Sequence, residues 1–319
     1  MESYHSVPAS SLKLRLAQRL DQLMLATFNT QIPDSFETAY HTTPGLEEVL
    51  AHTRVRFPLT PDAGLLREGE YRFWLESDFG RIPLRLRVLP AARPDAPLLL
   101  YHHGLGEMPY DGRARRLFSP RDRFDAHVVL FQAPFHANTF DPLRRGMTSI
   151  HHLYQMLVGP IRLMEMVQNQ YEALGAPYTV VSGTSLGGII SLLYEGLIGR
   201  AAAVVPIIAS PDLGRVMWDA ANLLRRELHV GQEVFEHYLN FTRYLQRSDP
   251  AKFYPLLSEA DVFFLKEHHA GIFEDRGCRI AWISAESHIT AALRLEASRQ
   301  HIIQALIHTR QRRQTEHVA

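Results

Sequence analysis

Tyr178-Thr179-Val180-Val181, then Gly183-Thr184-Ser185-Leu186-Gly187, then Gly188-Ile189-Ile190-Ser191-Leu192-Leu193-Tyr194 follow one another with only Ser182 between the first two. The first piece is a β-branched apolar run and the last a helix-like apolar stretch. The G-x-S-x-G between them reads as a sharp strand-to-helix turn that lifts a serine hydroxyl above a sheet. Small residues flank Ser185 because the turned backbone packs tightly on itself and holds the serine in a strained conformation. A bare G-x-S-x-G arises often by chance, whereas one set between a strand and an apolar helix is much rarer.

Outward from that turn the chain alternates strand and helix. Leu98-Leu99-Leu100-Tyr101 and His127-Val128-Val129-Leu130-Phe131 are short apolar runs upstream, and Ala202 to Ile208 is another downstream. Runs without alternation fit strands covered on both faces, as in a parallel sheet. A long helical pattern spans about Ser149 to Leu174, eased at Gly159-Pro160. Farther upstream, Tyr71 to Leu75 and Ile82 to Val88 alternate around a Ser77-Asp78-Phe79-Gly80 turn, the pattern of a hairpin. A hairpin leading into strand–helix repeats predicts a mixed, mostly parallel α/β sheet flanked by helices.

Both ends add to this core. Residues 11–27 set leucines among Lys, Arg, Gln and Asp and predict an amphipathic helix. Residues 32–69 read as loops with one short strand around Thr53 to Phe57. From Asp212 to Pro255 the pattern is helical and rich in Met, Phe and Tyr, which fits an inserted lid or plain core packing equally. Arg279 to Ile283 returns to strand, and a helix runs from Ala291 to about Arg310. The organisation expected is an N-terminal helical extension over 1–56 and a main domain over 57–319, with a helical insertion at about 212–255.

Bulk composition narrows the function by exclusion. Lys plus Arg and Asp plus Glu number 34 each in 319 residues, so nothing in the net charge suggests nucleic acid or an anionic membrane. The lone cysteine, Cys278, allows no intramolecular disulfide and suits a reducing compartment. No leader-like segment and no run of membrane-spanning length is visible, so a soluble, cytoplasmic protein is expected.

Further motifs then fall into place. His102-His103-Gly104-Leu105-Gly106-Glu107 follows a strand, and Ser284-Ala285-Glu286-Ser287-His288 ends the last one. With the elbow pentapeptide, and with serine well before histidine, these pieces resemble the α/β-hydrolase superfamily over roughly residues 71–308. The resemblance implies an α/β-hydrolase fold and esterase- or lipase-like chemistry without a cofactor. It implies an H-G-x-G-like loop at His103 to Gly106 and a catalytic histidine at His288. It also places one oxyanion donor at the Leu186 amide and a second at the Leu105 amide.

The chemistry supports these roles separately. A serine hydroxyl is a weak nucleophile without a base in reach, and histidine is the side chain that titrates near neutrality untuned. His288 is singled out among 17 histidines by its place at the carboxyl end of a strand, where α/β sheets put their sites. Backbone N–H donors suit the oxyanion of an attacked ester. The acid is where the pattern departs from the family. If Val262-Phe263-Phe264-Leu265 is the penultimate strand, Glu267 is the first carboxylate beyond it and Asp261 lies at the wrong end. Asp212 competes, because some members take their acid there, and residues 256–264 also fit a helical face.

His102-His103, His151-His152 and His268-His269 do not read as metal ligands, since neighbours diverge on strand or helix. His136, after the His127–Phe131 strand, reads as a loop residue. The expected activity is hydrolysis of a small-molecule carboxylic ester through an acyl-enzyme. The alternatives are a peptide or amide hydrolase and a non-catalytic binding protein of the same fold. No metal, nucleic acid or membrane span is expected, and the oligomeric state stays open.

Overall fold

The computed structural model describes residues 12–29, 36, 43–56, 67–78, 80–119, 124–136 and 145–316. Ser11, Phe57 and Phe79, and much of the expected loop region 32–69, lie outside the described residues. Nine strands form one sheet: β1 (Arg54–Arg56), β2 (Gly69–Ser77), β3 (Gly80–Leu89), β4 (Leu98–His102), β5 (His127–Phe131), β6 (Thr179–Thr184), β7 (Ala203–Ile207), β8 (Leu256–Ser258) and β9 (Ala281–Ile283). Their spatial order is β1-β2-β3-β5-β4-β6-β7-β8-β9.

The two halves of the sheet obey different patterns. β1, β2 and β3 pair antiparallel, and β3 joins β5 antiparallel. In this half alternation rules: Phe73 and Leu75, Leu84 and Leu86 are buried while Arg72 and Pro83 face out. From β5 onward every pairing is parallel. Every residue of β4, β5, β6 and β7 is buried, as strands covered on both faces require.

Ten α-helices are described: α1 (Leu12–Asn29), α2 (Leu46–His52), α3 (Ala114–Leu117), α4 (Ile150–Ala173), α5 (Leu186–Ile198), α6 (Leu213–Leu223), α7 (Gln232–Leu239), α8 (Lys266–Glu274), α9 (His288–Ala292) and α10 (Leu295–Glu316). They sort into layers through the two faces of the sheet. Leu98 and Leu100 of β4 enter one apolar cluster with α4 and α5. Leu99 and Tyr101 enter the other with Leu117 of α3 and Ile302 and Ala305 of α10. The long helix α4 starts at Ser149, whose hydroxyl accepts the His152 N–H, and it carries Pro160 inside. No helix among the described residues is long and apolar enough to cross a membrane.

One expectation changes here. Residues 262–265 form no strand. The sheet instead takes β8 from Leu256–Ser258, three residues that pair with β9, and 262–264 are a bend leading into α8. The Phe-rich run is apolar for another reason, described below. Residues 212–255 hold α6, α7 and two short 3-10 turns. An antiparallel bridge between Asp212 and Asn240 closes the base of the α6–α7 segment, and the chain rejoins the sheet at β8.

Candidate active site

Ser185 sits where β6 ends and α5 begins, with φ 53° and ψ −117°, a left-handed conformation that costs a side-chain-bearing residue energy. The surroundings over-determine it. The Ser185 N–H donates to Ile207 O of β7 at 2.9 Å, and the Ser185 carbonyl accepts from Gly188 and Ile189. A Cβ on Gly183 would lie 2.3 Å from the Gly187 carbonyl, and one on Gly187 would lie 2.1 Å from His102 O. No larger side chain fits at either place, so the glycines of the pentapeptide are steric requirements. Thr184 between them hydrogen-bonds the buried Tyr101 hydroxyl at 2.9 Å.

His288 begins α9, and its Nε2 lies 3.0 Å from Ser185 Oγ. Its Nδ1 lies 2.8 Å from Asp261 Oδ2. Glu267, the sequence's first choice for that carboxylate, is exposed in the first turn of α8 and is replaced in this position by Asp261. The cause is the strand assignment. Because β8 ends at Ser258, Asp261 follows the strand's carboxyl end, whereas a strand at 262–265 would have put it at the amino end. Its other oxygen accepts the N–H groups of Phe263 and Phe264 at 2.8 and 3.0 Å, so the bend at 262–264 folds around the carboxylate. The ring of Phe263 stacks on His288 at 4.3 Å, which explains the apolar run: it is a shelf for the imidazole.

Asp212 is also removed from the site. Its carboxylate caps α6 through the Arg215 N–H and accepts from Asn240, which pins the base of the α6–α7 segment. Burial raises its pKa, and the Arg215 amide offsets only part of this.

The loop after β4 lies against the elbow. A Cβ on Gly104 would be 3.3 Å from Thr184 O and 3.7 Å from Ser185 Cβ. Among the described residues no acceptor is found for the Leu105 N–H. The Leu186 N–H belongs to the first turn of α5, where helix geometry leaves amides without an intrahelical acceptor. The carbonyls of this loop are held by histidines: His103 Nδ1 donates to Gly104 O at 2.7 Å and His136 Nε2 to Leu105 O at 2.9 Å. His103 Nε2 in turn accepts the Ala133 N–H at 3.0 Å. Burial drives the His103 pKa well below 6.5, so the ring stays neutral and keeps this donor–acceptor pattern. Glu107 closes the loop, accepting the Gly104 N–H at 3.0 Å and pairing with Arg113.

The histidine pairs thus do structural work. His102 Nδ1 donates to His103 O, and its burial lowers the pKa to about 3. His268 pairs with Asp219, and His269 bonds Ser210. Among the described residues no group of three or more His, Cys, Asp or Glu could hold a metal ion.

A cavity of about 460 Å³ opens over Ser185 and His288. Its walls are apolar and come from several elements: Leu105 and Leu186 at the floor, Val216 and Met217 of α6, Phe235 of α7, and Leu20, Met24 and Leu25 of α1. The polar side chains in the lining are those of Thr184, Ser185, His288, Glu107, Arg113 and Arg226. The sequence reading set Asp261 aside as lying at the wrong end of a strand, and it missed the part played by α1. A signal for the first existed in Leu256-Leu257-Ser258, but three residues are too few for periodicity to register. For the second it was Asp21, the one acid in α1.

No family model matches the chain, and no curated protein matches it. Solved structures do. The hyperthermophilic esterase of the archaeon Pyrobaculum calidifontis is similar at 18% identity and a TM-score of 0.51, over 95% of this chain and 98% of that one. The acetyl xylan esterase of Paenibacillus sp. R4 is similar at 16% identity and 0.51, over 82% and 94%. A highly thermostable carboxyl esterase of Bacillus coagulans is similar at 13% identity and 0.51, over 76% and 99%. At these identities the likeness is one of fold.

Proposed function

We propose that this chain, an α/β hydrolase by fold, is a serine hydrolase that cleaves carboxylic esters through an acyl-enzyme. The observation that carries the reading is the hydrogen-bonded chain from Ser185 Oγ through His288 to Asp261, at 3.0 and 2.8 Å. Serine becomes nucleophilic when a base takes its proton in the transition state, and the imidazole Nε2 is within reach to do so. Asp261 accepts from Nδ1, fixes the tautomer with Nε2 free, and stabilises the imidazolium that forms.

The carbonyl oxygen then becomes an oxyanion, received by the amides of Leu186 and Leu105. His288 returns its proton to the leaving alcohol. Water, deprotonated by the same imidazole, attacks the acyl-enzyme and releases the acid. Every proton passes through His288 Nε2, the last one going back to Ser185 Oγ as the acid leaves, and no step asks for a cofactor. The apolar cavity suits an ester whose acyl or alkyl part is itself apolar.

The test is labelling with a fluorophosphonate, together with turnover of an activated ester. Wild type should be labelled at Ser185 and should turn over. Ser185→Ala should lose both while its thermal midpoint stays nearly the same, since Ala fills the same left-handed position. Labelling that persists in the variant at another serine would end this reading.

A further inference from the structure

We propose that Asp21 of α1 is a positioning residue for His288, which makes the N-terminal helix a working part of the site. The proposal rests on the serine-hydrolase reading above. Leu14, Ala17, Asp21 and Leu25 form the buried face of α1. An apolar side chain is the ordinary choice in such a stripe, and a buried carboxylate is costly unless its oxygens are satisfied. Both oxygens of Asp21 are. Oδ2 accepts the N–H of His288 at 2.7 Å and Oδ1 accepts the N–H of Ile289 at 3.0 Å.

These are the first two amides of α9, which lack intrahelical acceptors by geometry. The backbone of His288 is therefore gripped by one aspartate and its ring by another, Asp261. The loop that arrives there is strained, with Ala285 at φ 55°, so its peptide needs an outside hold. Other contacts of α1 fall on the same site. Lys13 lies 3.7 Å from Glu286, two residues before His288, and Gln18 Nε2 lies 3.5 Å from Ala260 O, next to Asp261.

Charge sharpens the argument. Desolvation raises the Asp21 pKa, and the two amides and His288 lower it by less. A carboxylate whose folded pKa is raised costs stability at neutral pH, where it must be ionised. A charged side chain kept in an apolar stripe and held against the base fits a functional role better than a structural one. The charged and titratable groups around His288 are Asp261 and Asp21, with Glu286 occupied by Arg294 and Lys13. The rings of Phe263 and Phe264 cover the rest.

The experiment compares Asp21→Asn and Asp21→Ala with wild type in the full chain. It reads the thermal midpoint, kcat and KM on p-nitrophenyl acetate, the rate of fluorophosphonate labelling, and the pH profile of kcat. For Asp21→Asn, which keeps an acceptor for one of the two amides, the midpoint should fall only slightly, and kcat and labelling rate should drop on the order of ten- to a hundredfold with KM within about twofold. The acid limb of kcat should move to lower pH, because a negative charge that favours the imidazolium is gone. If the alanine variant fails to fold, the near-isosteric asparagine decides alone. An Asp21→Asn variant with wild-type kcat, labelling and acid limb overturns the proposal. So does a change confined to KM, or a loss of activity that only tracks a loss of stability. A wild-type chain that takes no label overturns the serine reading first, and this proposal with it.

Discussion

Asp261 and Glu267 lie in the same stretch of chain, yet only Asp261 meets the imidazole, at 2.8 Å. The roles proposed for them separate cleanly by substitution. Asp261→Asn keeps the shape but reverses the donor pattern at Nδ1, which should favour the wrong tautomer and cost on the order of 10³–10⁴ in kcat. Glu267→Gln, at an exposed position, should leave turnover of the same ester unchanged. Equal effects from the two would remove Asp261 from the mechanism. The sequence could name Ser185 and His288 because each ends a recognisable pattern. It could not name Asp261, because its marker, β8, is three residues long and the apolar run behind it packs on His288.

At the scale of elements, the elbow shows why G-x-S-x-G was legible. Its glycines answer to contacts with nearest backbone, the link closest to sequence. Gly187→Ala would press a methyl group against His102 O, 2.1 Å from the ideal Cβ, between two elements that cannot separate without opening the sheet. Destabilisation of more than about 3 kcal/mol is expected, measurable by denaturant unfolding, where ordinary overpacking costs 1–3. The paired histidines after β4 were legible only as chemistry to exclude. Their work, bonding the carbonyls of His103 and Gly104, is completed on Leu105 O by His136 from another loop, and pairings between distant segments leave no period in the sequence. The same holds for α1. Its amphipathic pattern predicted a helix, and helix it is, but nothing in that pattern told where its buried face would dock.

For the whole molecule, buried histidines set an acid limit. Burial lowers the pKa of His102 to about 3 and of His269 to about 4 from an ordinary 6.5, and lowers those of His103 and His136 as well. Below 6.5 the unfolded chain binds protons that the folded chain refuses, so stability is complete above that pH and declines as pH falls towards about 4. Asp21, Glu107 and Asp212, with raised values, act in the opposite sense and blunt the decline at its lower end. The thermal midpoint should therefore drop steadily on acidification from neutral, and His269→Asn should flatten part of that slope. A midpoint flat from 6.5 down to about 4 would contradict the neutral burial of these rings.

The grip of Asp21 on His288 spans 267 positions of chain. During synthesis the helix bearing Asp21 emerges well before the segment it grips and must wait for residues 288 and 289. Until then the buried stripe of Leu14, Ala17 and Leu25 lacks the part of its cover that α9 supplies. A nascent chain halted between residues 188 and 287 would hold the serine, its turn and the amide loop, and no base. On the mechanism proposed, such a polypeptide is inert however well its sheet has formed, and activity arrives at once when the segment carrying His288 meets α1.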